Sequence, residues 1–172
     1  MMISNSQRKP MTIRKITEAE LEEVSSILNE TALWLKNKGE EMWKSDQVSV
    51  QKLRDSYKMK EIYLGFLESA AVATMILQEE DSLYWPNVRT NESLFLHKLA
   101  VRREFAKKGL SSEMLDEAKS LAKKNHKKYV RLDCAADRPQ LCGFYEMNGF
   151  KKVGEQILFE QYPTAYYEYE LL

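Results

Sequence analysis

Residues 93–124 constrain the fold more than any other stretch. An apolar run from Ser93 to Val101 passes through the basic segment Arg102-Arg103-Glu104-Phe105-Ala106-Lys107-Lys108-Gly109 into Leu110-Ser111-Ser112-Glu113-Met114-Leu115. Leu110, Met114, Leu115, Ala118, Leu121 and Ala122 recur at helical spacing, so Gly109 to Lys124 reads as a long amphipathic helix behind a central strand. A turn at a helix N-terminus presents backbone N–H groups that lack helical partners, together with the positive end of the helix dipole. That is the chemistry of a diphosphate site. Lys107 and Lys108 add charge, and Ser111 and Ser112 add hydroxyl donors. At this point a strand, turn and helix that bind no anion remain the alternative.

Further along, Val130-Arg131-Leu132-Asp133 reads as a strand, and Gly143-Phe144-Tyr145-Glu146-Met147-Asn148-Gly149-Phe150 as a helix whose Gly-Phe end opens another strand. With both stretches in this order, the chain resembles the GNAT superfamily of acyl-CoA-dependent N-acetyltransferases. The resemblance is strongest over 92–155 and extends in outline over 11–172. Members carry an R/Q-x-x-G-x-G/A pyrophosphate loop after a strand, then F-Y-x-x-x-G-F at a later helix–strand junction. Here the first motif is Ala106-Lys107-Lys108-Gly109-Leu110-Ser111, and the second is intact. Ala106 replaces the usual Arg or Gln, and Ser111 the last small residue. Backbone N–H groups do most of the work in such a loop. Arg102, Arg103, Lys107 and Lys108 are expected to supply compensating charge, so cofactor binding is expected to survive.

The resemblance implies an α/β, single-domain GNAT-like fold, with a mixed central sheet of about six to seven strands flanked by helices. Splayed parallel strands hold the cofactor in such a fold. It implies acetyl-CoA as cosubstrate, with the backbone of Leu99, Ala100 and Val101 along the pantetheine arm and thioester. Ala106, Lys107, Lys108, Gly109, Leu110, Ser111 and Ser112 fall at the diphosphate. Tyr145 falls beside the coenzyme sulfur, where a phenol can protonate a thiolate. Arg138 stands nearest to the position where many members place an Asn on the cofactor.

The proton acceptor has three candidates: His97 in the central strand, Asp133 at the end of the next strand, and an ordered water. A neutral imidazole can take a proton from an ammonium, but either side chain can equally be structural. Trp34, Trp43, Tyr84 and Trp85 lie in the segments that wall the acceptor cleft in this family. Stacking on a cationic amine and ordinary packing are both open for them, and core packing explains a loop tryptophan less readily. The reading is an N-acetyltransferase acting on a primary amine of a small molecule by direct attack in a ternary complex. Neither Cys134 nor Cys142 sits where an acyl-enzyme is expected. The alternatives are a protein or peptide N-acetyltransferase, with Glu79, Glu80 and Asp81 receiving a cationic peptide, and a catalytically silent acyl-CoA sensor. Tyr162, Tyr166, Tyr167 and Tyr169 mark either a homodimer surface or an edge strand packed on its own domain.

The 26 basic and 26 acidic residues give zero formal charge, so the global balance points to neither nucleic acid nor an anionic membrane. Two cysteines and two histidines lack zinc-site spacing, so no metal is expected. The thiols suggest a reducing, cytoplasmic setting and no disulfide. Residues 1–10 have no apolar core and read as a flexible tail before one domain over 11–172. No window is long and apolar enough to span a bilayer.

The remaining elements follow from pattern. Met11–Ile16 alternates as a strand. Thr17-Glu18-Ala19-Glu20 has capping-box form before the stripe of Leu21, Val24, Ile27 and Leu28. A second helical segment is expected over 31–38, ending at Gly39, and a short helix over 49–58. Strands 62–67 and 70–77 form a hairpin through Glu68-Ser69, and 81–91 is a loop. A strand over 129–134, a helix over 139–148, and strands over 150–159 and 165–171 complete a β-α-α-β-β-β-α-β-α-β-β order.

Overall fold

A computed structural model describes residues 8–171 of the chain. In order the elements are β1 (Thr12–Lys15), α1 (Leu21–Asn37), α2 (Val50–Ser56), β2 (Ile62–Leu67), β3 (Ala70–Gln78), β4 (Ser93–Val101), α3 (Leu110–Lys124), β5 (Tyr129–Ala135), α4 (Pro139–Met147), β6 (Lys151–Leu158) and β7 (Tyr162–Glu170). The seven strands hydrogen-bond in the order β1-β2-β3-β4-β5-β7-β6, which makes the fold α/β with a mixed sheet. Only the β4–β5 register is parallel among the pairings described; β1–β2, β2–β3, β5–β7 and β6–β7 are antiparallel. Among the described residues no helix is long and apolar enough to cross a membrane.

The described residues divide into two compact units, drawn from Met1–Ile76 with Lys98–Met114 and from Leu77–His97 with Leu115–Leu172. In the first, α1 and α2 cover a core of Leu21, Val24, Ile27, Leu28, Val48, Leu53, Ile62, Leu64, Ile76 and Ala100. Fully burying each of the larger side chains favours folding by about 1.5–3 kcal/mol. The break expected between residues 28 and 31 does not occur. The buried stripe continues through Ala32 and Leu35 at the same spacing, so α1 runs unbroken across it. Glu20 does accept the Thr17 N–H at 2.8 Å, but Glu18–Glu20 forms a tight 3-10 turn that leads into α1.

In the second unit, β5 lies between β4 and β7. Val130 and Leu132 point into the core, and the buried Arg131 is held by Ser93 Oγ at 2.7 Å, Glu92 at 3.3 Å and Glu168 at 3.2 Å. A buried guanidinium needs such partners on several sides, and these tie the start of β4 to β5 and β7. The Gly-Phe end of the second motif has a local cause. Gly149 closes α4 with φ +88°, and a Cβ there would lie 3.1 Å from Tyr169. The chain then turns so that the Phe150 N–H reaches Tyr145 O at 3.0 Å, which directs Phe150 inward.

Candidate active site

The basic loop lies in the first unit. After β4 come a 3-10 turn, Arg103–Phe105, then Lys107 at φ +61° and Gly109 at φ +80°. The Gly109 carbonyl accepts the Glu113 N–H at 3.1 Å, so Gly109 caps α3. The N–H groups of Leu110, Ser111 and Ser112 then fall in the first turn, where a helix offers them no acceptor. Lys107 and Lys108 are exposed, and Ala106, Ser111 and Ser112 half-buried. This is the helix-terminus geometry of an anion site.

One expectation about charge here is corrected. Arg102 and Arg103 are not left free to serve the loop, because both are engaged by α1 and β3. Arg102 reaches Glu23 at 2.6 Å and Ala71 O at 3.0 Å. The Arg103 N–H donates to Glu30 at 2.9 Å, and its guanidinium lies 3.5 Å from the Trp34 ring centroid. Residues 1–7 lie outside the described residues, but Arg8 donates to Lys108 O at 3.2 Å and pairs with Glu113 at 2.8 Å.

Within β4, Lys98 takes φ +51°, a left-handed kink in the strand between His97 and Leu99. Leu99 is half-buried, and Ala100 and Val101 are buried.

The second unit assembles the acid–base candidates. Ser93 pairs with Tyr129 and Phe95 with Arg131, and there the parallel register ends. His97 and Asp133 lie two residues beyond Phe95 and Arg131, on the same faces of their strands. That register brings them together. Asp81, at the start of the loop after β3, joins them, and one ligating atom from each of the three lies within 4.8 Å of the others. Asp81 Oδ2 is 3.7 Å from His97 Nε2, with side chains 7% and 17% exposed. Asp81 Oδ1 accepts the Tyr84 N–H at 3.2 Å. Burial raises the Asp81 carboxyl above the ordinary carboxylate range. Tyr84 is also raised, first by burial and then by the charges of Asp133, Asp81 and Tyr166.

Tyr145 is buried on α4 against Phe144, Phe150 and Tyr167, with ring centroids 5.2, 5.8 and 6.3 Å away. Burial pushes its phenol well above the ordinary range. Arg138 is the N-cap residue of α4, ahead of Pro139 in the first turn. Cys134 and Cys142 face each other at 3.9 Å as free thiols.

The tryptophans have packing roles that the sequence left open. Trp34 stacks with Arg103 and lies 4.2 Å from Lys38 Nζ. Trp43 packs partly on the first unit's core, 5.3 Å from Lys98 Nζ. Trp85 lies in the loop after β3, as expected, and faces inward. It is 9% exposed, edge-on to Tyr166 at 5.0 Å and tilted on Phe95 at 6.2 Å. In the peptide-acceptor alternative Asp81 serves together with Glu79 and Glu80. The fold separates them: Glu79 pairs with Lys127 at 3.2 Å, while Asp81 turns inward. The signal available for Asp81 was an acid heading an aromatic loop.

Comparison with known proteins agrees with this architecture. The model of the acetyltransferase (GNAT) family matches residues 22–150. The chain is similar to YesJ, an uncharacterized N-acetyltransferase of Bacillus subtilis (strain 168), with 31% identity over 155 residues, 84% of this chain and 86% of YesJ. Its fold is similar to that of a GNAT-family acetyltransferase from Listeria monocytogenes 4b F2365, with a TM-score of 0.78 and 23% identity over 94% of this chain and 95% of that one. It is also similar to the PaiA N-acetyltransferase of Thermoplasma acidophilum solved with coenzyme A, with a TM-score of 0.72 and 19% identity over 95% of this chain and all of the other.

Proposed function

The chain belongs to the acetyltransferase (GNAT) family, and on that premise we propose that it transfers acetyl from acetyl-CoA to a primary amine of a small molecule, by direct attack in a ternary complex and with one domain over 11–172. The observation that carries the acceptor chemistry is the β4–β5 register, which brings His97 beside Asp133 where the parallel pairing ends.

In this reading the N–H groups of 106–112 bind the diphosphate, helped by Lys107 and Lys108, with Arg138 as a further phosphate partner. Backbone groups of Leu99, Ala100 and Val101 hold the pantetheine arm, and one of the strand N–H groups meets the thioester oxygen. The acceptor ammonium gives one proton to His97, which passes it to solvent. The freed lone pair attacks the thioester carbon, a C–N bond forms, and the C–S bond breaks as the tetrahedral oxyanion collapses. A second proton leaves the nitrogen, and the thiolate takes up one. An ordinary thiol has a pKa near 8.5 and an ordinary phenol near 10, so full transfer from a phenol raised further is uphill by more than about 2 kcal/mol. Tyr145 therefore acts by hydrogen-bonding the departing sulfur, and solvent supplies the final proton.

A peptide acceptor is less well supported, because Asp81 is buried and Glu79 is paired, which leaves no shared acidic surface among the three residues invoked for it. A silent sensor fits poorly with the intact Phe144–Phe150 motif. A homodimer through β6 and β7 belongs to the same reading. Tyr166 and Tyr167 are buried in their own unit, but Tyr162, Ile157 and Phe159 are 55%, 67% and 63% exposed; light scattering tests it. A cytoplasmic setting is supported by the two free thiols. Calorimetric titration with acetyl-CoA, then thiol release across an amine panel, tests the function. Micromolar binding with release for one amine class supports it. Binding with no release from any amine favours the sensor, and no binding overturns the cofactor assignment.

A further inference from the structure

We propose that Asp81 completes a buried ammonium site with Asp133 and His97, and that this site restricts the acceptor to aliphatic primary amines that are protonated in solution. The proposal rests on the acyl-transfer reading and names its substrate class.

The argument starts from geometry. One ligating atom each from Asp81, His97 and Asp133 lies within 4.8 Å of the other two. With no separation above 4.8 Å, a nitrogen among them can sit within about 2.8 Å of all three, inside the ordinary reach of N–H···O and N–H···N bonds. An alkylammonium carries three N–H donors, and the trio offers two carboxylate oxygens and an imidazole nitrogen. Donor count, acceptor count and spacing agree.

A second observation is independent of that spacing. Asp81 is pinned through Oδ1 by the Tyr84 N–H, while Oδ2 faces His97 and accepts no hydrogen bond, although the side chain is 7% exposed. A buried carboxylate oxygen without a donor is destabilising unless a cation or donor meets it. The groups around it are Tyr84 on its own loop, His97 on β4 and Asp133 on β5, with Tyr166 of β7 acting on Tyr84. Two carboxylates beside one imidazole favour a positive guest over a neutral one. An alcohol, an amide or an arylamine, which is uncharged near neutral pH, forfeits that attraction.

The chain has two histidines, so His126→Asn leaves His97 as a single imidazole reporter. His126 has φ +57°, a conformation asparagine tolerates. Imidazole NMR of this full-length variant is followed during titration with methylammonium chloride, with and without saturating coenzyme A. Sodium chloride at matched ionic strength, methanol and aniline serve as controls. The expected result is a saturable His97 shift with methylammonium alone, and at least a tenfold loss of that affinity in Asp81→Asn. No shift, an equal shift from methanol or aniline, or unchanged affinity in a folded Asp81→Asn protein overturns the proposal. So does occupation by micromolar zinc that methylammonium does not reproduce. If Asp81→Asn fails to fold, the comparison of methylammonium with methanol and aniline still decides. The readout needs no turnover, so ammonium binding without acetyl transfer would sink the enzymatic reading while sparing the site. Transfer to arylamines would do the reverse.

Discussion

Arg8 Nη1 lies 2.8 Å from Glu113 Oε2 and ties the start of the described chain to the first turn of α3. The same guanidinium also donates to Lys108 O. Glu113 is an acid where a diphosphate is proposed to bind, so its charge opposes that anion, and Arg8 offsets it. Arg8→Ala is expected to weaken acetyl-CoA roughly three- to tenfold, the ~1 kcal/mol scale of a partly exposed ion pair. Adding Glu113→Gln should restore most of the loss. Calorimetry on both variants checks this, and full affinity in Arg8→Ala would place the pair outside the diphosphate's field.

Gly109 and Gly149 both need positive φ, but for separate purposes. Gly109→Ala forces a Cβ into the left-handed region at the α3 cap, at a cost of roughly 1–2 kcal/mol, and is expected to lower acetyl-CoA affinity at least tenfold. Gly149→Ala meets the Tyr169 ring at 3.1 Å, so it should lower Tm by a similar amount. Its acetyl-CoA affinity should stay near that of the parent. Equal affinity losses in the two variants would mean that Gly109 acts through stability alone.

Tyr145→Phe is expected to lower kcat roughly 10- to 100-fold, the ~1.5–3 kcal/mol scale of a hydrogen bond to a charged group, with KM for acetyl-CoA nearly unchanged. Burial raises the phenol pKa, so the neutral form is favoured in the folded state. Its contribution to stability is complete below the ordinary phenol pKa and is lost as pH rises through the higher folded value. Rate profiles should therefore show no alkaline loss from Tyr145 up to pH near 10. A Tyr145→Phe enzyme with parental kcat would remove it from the reaction.

What the sequence made legible follows the range over which each signal acts. The α3 cap, the α4–Gly149 turn and the strand–helix order depend on neighbours in the chain, and all were readable from glycine placement and periodicity. The continuity of α1 was missed because Asn29-Glu30-Thr31 looks like a polar break, while its helical register is fixed by packing of Ala32 and Leu35. The functions of Asp81, Arg102 and Arg103 depended on long-range partners. Asp81 meets Asp133 only once the β4–β5 register is set, and Arg103 meets Trp34 and Glu30 only once α1 lies on the sheet of its own unit. No local pattern encodes such pairings.

Acid should weaken the first unit in part through Glu20. Two bonds from Arg14, at 2.8 and 2.7 Å, and the Thr17 N–H hold its carboxyl down from 4.5 to about 2. A depressed carboxyl contributes stability that is present above pH 4.5 and lost as pH falls toward 2. Arg14→Ala should flatten that part of the stability–pH curve, measured by urea unfolding between pH 6 and 2. An unchanged slope would show that the pair is too well solvated to matter.

Cys134 gives the sharpest test of direct attack against an acyl-enzyme. A thiol must ionise to become a nucleophile, and Cys134 is held protonated, first by burial and then by Cys142 and Asp133 beside it. Its sulfur also has Cys142 Sγ at 3.9 Å. At pH 8 the folded protein should therefore react with iodoacetamide at Cys134 at least 100-fold more slowly than the urea-unfolded chain, where an ordinary thiol is partly ionised. Mass-spectrometric mapping of the labelled site measures that ratio. Direct attack also requires that Cys134→Ala keep kcat within a few-fold of the parent. Fast labelling of the folded protein, combined with loss of turnover in Cys134→Ala, would make Cys134 the acetyl carrier and replace the ternary complex with a two-step mechanism.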